Sequence, residues 1–194
     1  VMAQTEATET KMESNFVSGV INRRSEKGGA VPFLNAVTGR IAGRFENYEV
    51  VFVEDASRDC TLGEVRGFLK SMAELPPVSV IQMSLRQGLG LAMNAGLDMA
   101  IGDFVYEFDT MHMAYPEDMI DAAYEACLQG NDIVSVSPVR NRKLTSSVFY
   151  GLFNATSRSK YKLHTDVFRL LSRRAINRVH GISATMPYRK AAYA

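Results

Sequence analysis

The feature that most constrains the fold of this chain is an alternation of short apolar runs with segments of helical periodicity. The apolar runs lie at 16–21, 49–53, 78–83, 104–108 and 132–136. Run 49–53 is rich in β-branched residues and contains a single charge, which is typical of a strand covered on both faces. Strands and helices alternating at this spacing predict an α/β fold with a mainly parallel sheet and helices on both faces.

Helical periodicity fills the intervals between the runs. Pro32 is expected to open the first helix, because a proline is well tolerated in a first turn. Further helices are predicted from 65 to 72, from 92 to 100 and from Pro116 onward. The segment 168–179 fits either an amphipathic helix or a strand that turns into a helix. The residues predicted to face the core are Phe33, Val37 and Ile41 in the first helix and Ile120, Ala123, Tyr124 and Cys127 in the fourth.

Length and composition favour one soluble globular domain. The chain has 194 residues, of which 46% are hydrophobic and 22% charged, and this balance excludes an intrinsically disordered protein. No run reaches the roughly 18 apolar residues of a membrane-spanning helix. Segment 1–14 is expected to be a disordered leader, and 15–194 a single domain cut short at its C-terminal end. Cys60 and Cys127 are too few for a disulfide framework, so a cytoplasmic setting is expected.

Charge is distributed unevenly, although the net charge is only +1. Residues 138–194 hold twelve Lys or Arg and one acid, a net +11, whereas residues 1–137 hold ten bases and twenty acids, a net −10. This segregation suggests that the C-terminal part faces an anion such as a phosphate or a lipid headgroup. The alternative is that the two parts face each other or solvent. No nucleic-acid partner is expected, because the basic segment carries no recognised nucleic-acid-binding motif.

Two carboxylates follow strands at the edge where α/β sheets bind ligands. Asp55 follows run 49–53 and Asp109 follows run 104–108, so both are expected at the carboxyl edge of the sheet. Clustered acids need a compensating cation or hydrogen-bond donors. With basic residues downstream, they suit a metal-bound diphosphate, whose charge grows as it leaves. The alternative is that each acid only caps the next helix.

Several longer segments match a known signature in the right order. They are EVVFVEDASRDCT from Glu49, RQGLGLAMNAG from Arg86, AIGDFVYEFD from Ala100, the pair Pro116-Glu117, and GNDIV and FRLLSRR further on. Together they resemble family 2 glycosyltransferases with the GT-A fold, which is Rossmann-like. The last two segments are similar to the polyprenyl-phosphate branch, typified by dolichyl-phosphate mannose synthases.

The resemblance implies an inverting glycosyltransferase of the hexosyltransferase type (EC 2.4). It would move a sugar from a nucleoside-diphosphate sugar to a polyprenyl phosphate or lipid-linked glycan, in cell-surface polysaccharide or glycolipid synthesis. Such an enzyme would act in the cytoplasm at the inner face of the membrane, and assembly into a homo-oligomer is compatible with it. The alternative is a non-catalytic scaffold that binds nucleotide sugars at a degenerate site.

The resemblance also implies roles for individual residues. Asp109 matches the first Asp of the D-x-D motif, and Arg169 matches an arginine that contacts the donor diphosphate; both would be catalytic. Asp103 would support the nucleotide pocket or would simply end a turn. The implied donor-binding residues are Asn22, Glu26, Asp55, Arg86, Gly88, Asp103 and Asp109, and the implied acceptor or phosphate residues are Arg140, Arg142 and Arg173.

The chain departs from the family pattern at the loop that follows the first strand. The family usually shows Pro-x-x-Asn-Glu there, whereas residues 22–26 of this chain read Asn-Arg-Arg-Ser-Glu. Only Glu26 is retained, so this motif does not give the base of the nucleotide.

A second departure concerns the divalent metal, Mg²⁺ or Mn²⁺, that the resemblance implies. Met111 stands where the family has the second Asp of D-x-D, normally the direct ligand, and a thioether is a poor ligand for either ion. Three accounts remain open. Asp109 holds the ion with His112, or arginines balance the diphosphate without metal, or the site binds without turning over.

The two classes of acceptor make different demands on the site. A phosphate oxygen is already ionised at neutral pH and needs no strong general base. A sugar hydroxyl would need one, and Asp166 and Glu117 are the candidates.

Overall fold

The computed structural model describes residues 12–23, 30–56, 77–137 and 166–182, and the single positions 63, 67 and 70. The three single positions are helical, within or next to the helix predicted at 65–72, whose other residues lie outside this description. The elements in chain order are β1 (Val17–Arg23), α1 (Ala30–Arg44), β2 (Tyr48–Glu54), β3 (Val78–Gln82), α2 (Leu89–Met99), β4 (Phe104–Phe108), α3 (Met119–Leu128), β5 (Ile133–Val136), β6 (Phe168–Ser172) and α4 (Arg173–Ile182).

The six strands form one sheet in the order β3-β2-β1-β4-β6-β5. β1 pairs in parallel with β2 and β4, and β2 pairs in parallel with β3. β6 is antiparallel to both of its neighbours, β4 and β5. β5 therefore runs in the same direction as the parallel strands, and the prediction of a mainly parallel sheet is confirmed.

The order of the strands creates a crevice beside β1. From β1 the chain moves outward to β2 and β3 and then returns to β4 on the other side of β1. Open α/β sheets bind ligands at such a reversal, outside the carboxyl ends of the two strands. Ile21 pairs with Phe108, so Asn22 and Asp109 are the next residues of β1 and of the chain beyond β4 at this edge. We call this edge the carboxyl rim.

Helices cover both faces of the sheet, because side chains alternate along each strand. One buried cluster joins residues of α1 and α3, such as Phe33 and Tyr124, to one face. The other cluster joins residues of α2 and α4, such as Leu97 and Ile176, to the opposite face, which we call the α2/α4 face. The residues predicted to face the core are all buried: Phe33, Val37, Ile41, Ile120, Ala123, Tyr124 and Cys127.

Two boundaries differ from the prediction for simple physical reasons. α1 begins at Ala30, two residues before Pro32, because the N–H that proline lacks is one that a first turn leaves unpaired. α3 begins at Met119 rather than at Pro116, since Pro116 forms a turn in which its carbonyl accepts the Met119 N–H at 3.1 Å. Of the two alternatives for 168–179, the strand that turns into a helix is confirmed.

The last part of the expected disordered leader, 1–14, is attached to the fold at Glu13. Glu13 forms an isolated bridge with Phe45, its N–H donates to the Arg44 carbonyl at 2.8 Å, and its carbonyl accepts the Glu46 N–H at 3.0 Å. These backbone bonds attach residue 13 to the end of α1. The rest of the expected leader, up to residue 11, lies outside the described residues.

Two glycines allow α2 and the loop after it to approach the sheet closely. A Cβ on Gly96 would lie 2.4 Å from Val20 Cγ1, and a Cβ on Gly102 would lie 2.6 Å from the Ser18 backbone nitrogen. The Ser18 hydroxyl donates to Glu49 at 2.6 Å and accepts the Gly102 N–H at 2.8 Å. Gly96 and Gly102, two of the glycines in the family-like segments, therefore serve packing.

Within the described part of the chain, no helix combines the length and the apolar composition that crossing a bilayer requires.

Candidate functional site

A buried guanidinium joins three carboxylates near the carboxyl rim. Arg169, in β6, lies opposite Glu107 of β4 in the antiparallel register, and its side chain is 1% exposed. Its Nη1 donates to Glu107 Oε2 at 2.6 Å and its Nη2 to Asp109 Oδ2 at 2.9 Å. Its Nε donates to Asp166 Oδ2. The carboxylate of Asp109 is thus held in place by the neighbouring strand.

Electrostatics keep this arginine charged. Burial alone would lower the pKa of the Arg169 guanidinium, but Glu107, Asp109 and Asp166 hold that pKa well above its ordinary value. One positive charge therefore faces three carboxyl groups, and the group as a whole is rich in negative charge. Such a group is suited to receive a ligand that brings cationic or hydrogen-bond-donor groups.

A second carboxylate of the rim organises the start of α2. Asp55, just after β2, accepts the N–H of Gln87 at 2.5 Å and the N–H of Gly88 at 2.7 Å. Gly88 has φ 87°, a left-handed conformation that favours glycine, and it caps α2 without a side-chain hydrogen bond. Arg86 is exposed beside this turn. The structure thus brings Asp55, Arg86 and Gly88 together, as far as the described residues go.

The D-x-D position has an unusual side-chain arrangement. Asp109 is 7% exposed at the end of β4, and Met111 is 2% exposed within the core cluster of α1 and α3. His112, the proposed neighbouring ligand, is exposed. Met111 therefore serves as a core residue, and its side chain lies on the side of the sheet away from Glu107 and Arg169.

These residues do not fit a divalent ion held by protein ligands. One oxygen of Asp109 accepts a hydrogen bond from Arg169, and Met111 lies in the core. Among the residues described, no group of three or more His, Cys, Asp or Glu side chains is arranged to hold a metal. The expected pair of Asp109 and His112 is thus not supported by a complete ligand set.

Asn22 lies at the rim in a buried position. It is 3% exposed near the end of β1, and its Oδ1 has no hydrogen-bond partner within the described part of the chain. It pairs in register with Val53 of β2. A buried polar atom without a partner is unusual in proteins and calls for an explanation.

Two expected site residues lie at the opposite edge of the sheet. Asp103 precedes β4, where its Oδ2 accepts the Phe16 N–H at 3.0 Å. Arg173 follows β6, and its guanidinium donates to the carbonyls of Ala100 and Gly102 at 2.7 to 2.9 Å. The antiparallel course of β6 carries Arg173 away from Arg169, so the structure does not bring these two residues to the rim. For Asp103 the alternative of a turn-ending residue accounts for its contacts.

Three further expected residues, Glu26, Arg140 and Arg142, lie outside the described residues. The two arginines belong to segment 138–165, which contains six Lys or Arg and no acid. The residues next to this segment are described: the N–H of Val167 donates to the carbonyl of Val136 at 2.8 Å. Val136 and Phe168 pair in register, and Phe168 pairs with Phe108. The basic segment therefore leaves and re-enters the described structure at the carboxyl rim.

Glu107 is the site residue that the sequence analysis missed. It is fully buried in the middle of an apolar strand, and Arg169 is likewise a charge within an apolar run. A signal was present, because two opposite charges inside strands covered on both faces must be paired. Asp166, considered only as a base for a sugar acceptor, is the third carboxylate on Arg169.

Comparison with known proteins places the chain among transferases of sugars. The sequence model described as "Glycosyl transferase family 2" matches residues 30–193. A bactoprenol glucosyl transferase of Shigella phage SfV is 30% identical over 139 residues, which are 68% of this chain and 43% of the relative. An uncharacterized glycosyltransferase of Synechocystis sp. is 25% identical over 154 residues, 76% of this chain and 47% of the relative. The chain thus spans less than half the length of these curated relatives.

Solved structures share the fold. A mannosyltransferase of Pyrobaculum calidifontis, in complex with GDP-Man and Mn²⁺, aligns with a TM-score of 0.63 at 20% identity, over 86% of this chain and 47% of the other. A glucosyl-3-phosphoglycerate synthase of Mycobacterium tuberculosis, with Mn²⁺ and UDP, aligns with a TM-score of 0.64 at 14% identity, over 83% of this chain and 57% of the other. The predicted GT-A fold is confirmed.

Proposed function

Because the chain belongs to glycosyl transferase family 2, we propose that it binds a nucleoside-diphosphate sugar in the crevice between β1 and β4 and transfers the sugar. The observation that carries the proposal is the carboxylate of Asp109, held by Arg169 at the rim of that crevice at 2.9 Å. A fixed carboxylate next to a ligand crevice can orient the donor without reorganisation during the reaction.

The donor would extend along the rim from β2 to β4. Asp55 stands at the β2 end, where a carboxylate suits the N–H groups of a nucleobase. Asp109 stands at the β4 end, where the diphosphate and sugar would lie, with hydroxyls of the sugar donating to its carboxylate. Neighbouring strands are about 4.8 Å apart, so the axes of β2 and β4 are separated by about 10 Å across β1. That span suits a nucleoside diphosphate.

We propose a polyprenyl phosphate, or a glycan linked to one, as the acceptor. The support is the bactoprenol glucosyl transferase among the relatives and the basic segment 138–165, because the described residues next to it, Val136 and Val167, lie at the rim. Arg140 and Arg142 would bind the acceptor phosphate. Basic residues near anionic lipid headgroups favour contact with a membrane surface, so the protein would work beside the membrane that holds its acceptor.

The reaction would be a single displacement that inverts the anomeric carbon. An ionised phosphate oxygen of the acceptor attacks the anomeric carbon, and a new C–O bond forms. The bond from that carbon to the diphosphate breaks, and its electron pair leaves with the nucleoside diphosphate. With a polyprenyl phosphate as acceptor no proton has to be removed, so the residues at the rim need only hold and orient the donor and acceptor.

The divalent ions of the solved neighbours raise the question of charge balance on the leaving diphosphate. Because Met111 lies in the core and Arg169 already binds Asp109, we propose that arginines balance this charge in the present chain. Arg86, exposed beside Gly88, would approach the diphosphate from the Asp55 end of the rim.

A transfer assay tests the proposed function. The protein would be incubated with radiolabelled UDP-glucose or GDP-mannose and undecaprenyl phosphate in detergent, and labelled lipid would be extracted and counted. We expect label in the lipid with one of the two donors, and none with an Asp109→Ala variant of unchanged circular dichroism. Equal transfer by that variant would contradict the proposal.

A second candidate is a scaffold that binds nucleotide sugars without turnover, and the core position of Met111 favours it. This candidate predicts nucleotide binding by calorimetry with no lipid product and no release of nucleoside diphosphate. Sustained consumption of the donor in the presence of the acceptor would exclude it.

A further inference from the structure

The carboxamide oxygen of Asn22 is a buried acceptor at the carboxyl rim. Asn22 is 3% exposed, and its Oδ1 has no hydrogen-bond partner among the described residues. A buried acceptor left unpaired destabilises the folded chain, so its presence requires compensation. A ligand that donates a hydrogen bond to Oδ1 would supply that compensation.

The position of Asn22 identifies which part of a ligand would reach it. β1 lies between β2 and β4, and Asn22 pairs with Val53, two residues before Asp55. On the other side, Ile21 pairs with Phe108, so Asn22 is level with Asp109. Alternation along β1 also places Asn22 on the same face as Val20, which is the α2/α4 face. Asn22 thus lies between the two carboxylates and not beyond either of them.

The chemistry of the carboxamide oxygen excludes some ligand groups. Oδ1 only accepts hydrogen bonds, and a diphosphate that is ionised at neutral pH has no proton to donate. The base of the nucleotide belongs to the Asp55 end of the rim in the function proposed above. The group between base and diphosphate is the ribose, and its two hydroxyls are donors.

We infer that Asn22 accepts a hydrogen bond from a ribose hydroxyl of the sugar donor and so selects ribonucleotides over deoxyribonucleotides. This inference rests on the proposed function of the rim. It is specific to this chain, because proteins with the usual pattern have a proline at this position, and a proline side chain offers no hydrogen-bonding group. Asn22 is therefore a specificity-determining residue that touches the donor.

The test is calorimetric titration of the protein with UDP and GDP and with their 2′-deoxy and 3′-deoxy analogues. For the nucleotide that binds, we expect one deoxy analogue to bind about 10-fold to 100-fold more weakly than the ribonucleotide, because the absence of that hydroxyl leaves Oδ1 unpaired. In an Asn22→Ala variant the same two ligands are expected to bind within about threefold of each other, because the acceptor is gone.

A matched control is Tyr115→Phe. The Tyr115 hydroxyl is also buried without a partner in the described structure, but it belongs to the core cluster on the other face. We expect Tyr115→Phe to keep the full discrimination between ribose and deoxyribose. Thermal unfolding of both variants checks that each is folded at the titration temperature.

The outcomes separate the inference from the proposed function. If the wild-type protein binds the ribonucleotide and both of its deoxy analogues with equal affinity, the role of Asn22 is overturned and donor binding is left intact. Unchanged discrimination in Asn22→Ala would do the same. Failure of the wild-type protein to bind any of these nucleotides would overturn the proposed donor site and the inference with it.

Discussion

Arg169 Nη2 lies 2.9 Å from Asp109 Oδ2, and this contact joins β6 to the residue that ends β4. The two residues are 60 positions apart in the chain, and the antiparallel pairing of β4 with β6 brings them together. Glu107 and Asp166 share the same guanidinium. The carboxylate at the end of β4 is therefore fixed by packing and charge, which is the condition for precise placement of a substrate.

Replacing Asp109 by asparagine is expected to reduce sugar transfer at least about 100-fold, because the amide lacks the charge that orients the donor. Asparagine keeps the shape of the side chain, so the fold is expected to remain. Asp98→Asn is a matched control, since Asp98 lies on α2 and its side chain is 64% exposed, paired with His180. The rate of lipid-product formation is measured for both variants. A similar loss of this rate in Asp98→Asn and Asp109→Asn would argue against a special role for Asp109.

Replacing Arg169 by methionine is expected to lower the free energy of unfolding by about 3–5 kcal/mol, because three carboxylates would lose their shared cation. A second substitution, Glu107→Gln, removes one of those charges and should recover part of the loss. Urea unfolding of the wild type, both single variants and the double variant gives the coupling energy. Additive effects would show that the ion pair between the two residues contributes nothing.

The substitution Gly96→Ala is expected to destabilise the protein by about 1–3 kcal/mol, because the new methyl group would lie 2.4 Å from Val20 Cγ1 and 2.9 Å from Val53 Cγ2. Gly39→Ala in α1 is the control, since no atom lies within 4 Å of the added methyl group. That substitution should instead stabilise by about 0.5–1 kcal/mol through helix propensity. Thermal unfolding compares the two; the same sign in both would contradict the close approach of α2.

Chelation of divalent ions is expected to leave nucleotide binding unchanged within about twofold, because the described residues around Asp109 lack a complete ligand set. Calorimetric titration of the protein with UDP or GDP, whichever binds, gives the affinity first in EDTA and then in Mn²⁺. Arg86→Ala is expected to weaken binding about 5-fold to 10-fold in both conditions. Binding that requires Mn²⁺ would contradict this prediction and the proposal that arginines balance the diphosphate charge.

Stability above pH 9 is expected to depend on Cys127. Burial, and then the nearby charge of Asp132, raise the pKa of this thiol to about 11, above the 9.0 of a free thiol. Between these values the unfolded chain binds fewer protons than the folded one, so stability falls as pH rises. The slope from this group approaches about 1.4 kcal/mol per pH unit. Urea unfolding at pH 8, 9 and 10 should show a shallower decline for Cys127→Ala; equal slopes would contradict the shift.

The fold was predictable because its information is local. β-branched residues indicate a strand covered on both faces, such as β2. The spacing of the apolar residues indicates which side of α3 faces the core. The carboxylates at the rim followed from strand ends alone. The direction of β6 was not predictable, because a short apolar run fits either direction until its neighbours are known. For that reason Arg173 was expected at the site and lies at the opposite edge.

The contacts within the site depended on register, which the sequence does not give. The contact of Arg169 with Glu107 requires the pairing of one residue of β6 with one of β4, and a shift of β6 by one residue would place Arg169 on the face opposite to Glu107. Met111 was recognised as a departure, but its place in the core depends on where the chain turns after β4. Burial without a partner, as at Asn22, is a property of the assembled sheet.

The antiparallel course of β6 brings together the described residues on either side of the basic segment 138–165. Val136 and Val167, which flank this segment, are joined by one backbone hydrogen bond. The pairing of β5 with β6 is formed by residues outside the segment. For a flexible connection, each doubling of its length adds only about 0.6 kcal/mol of closure free energy, so changes between these two positions are expected to cost the sheet little. Under the proposed function, replacing the residues between them would change the acceptor and leave the donor crevice unaltered.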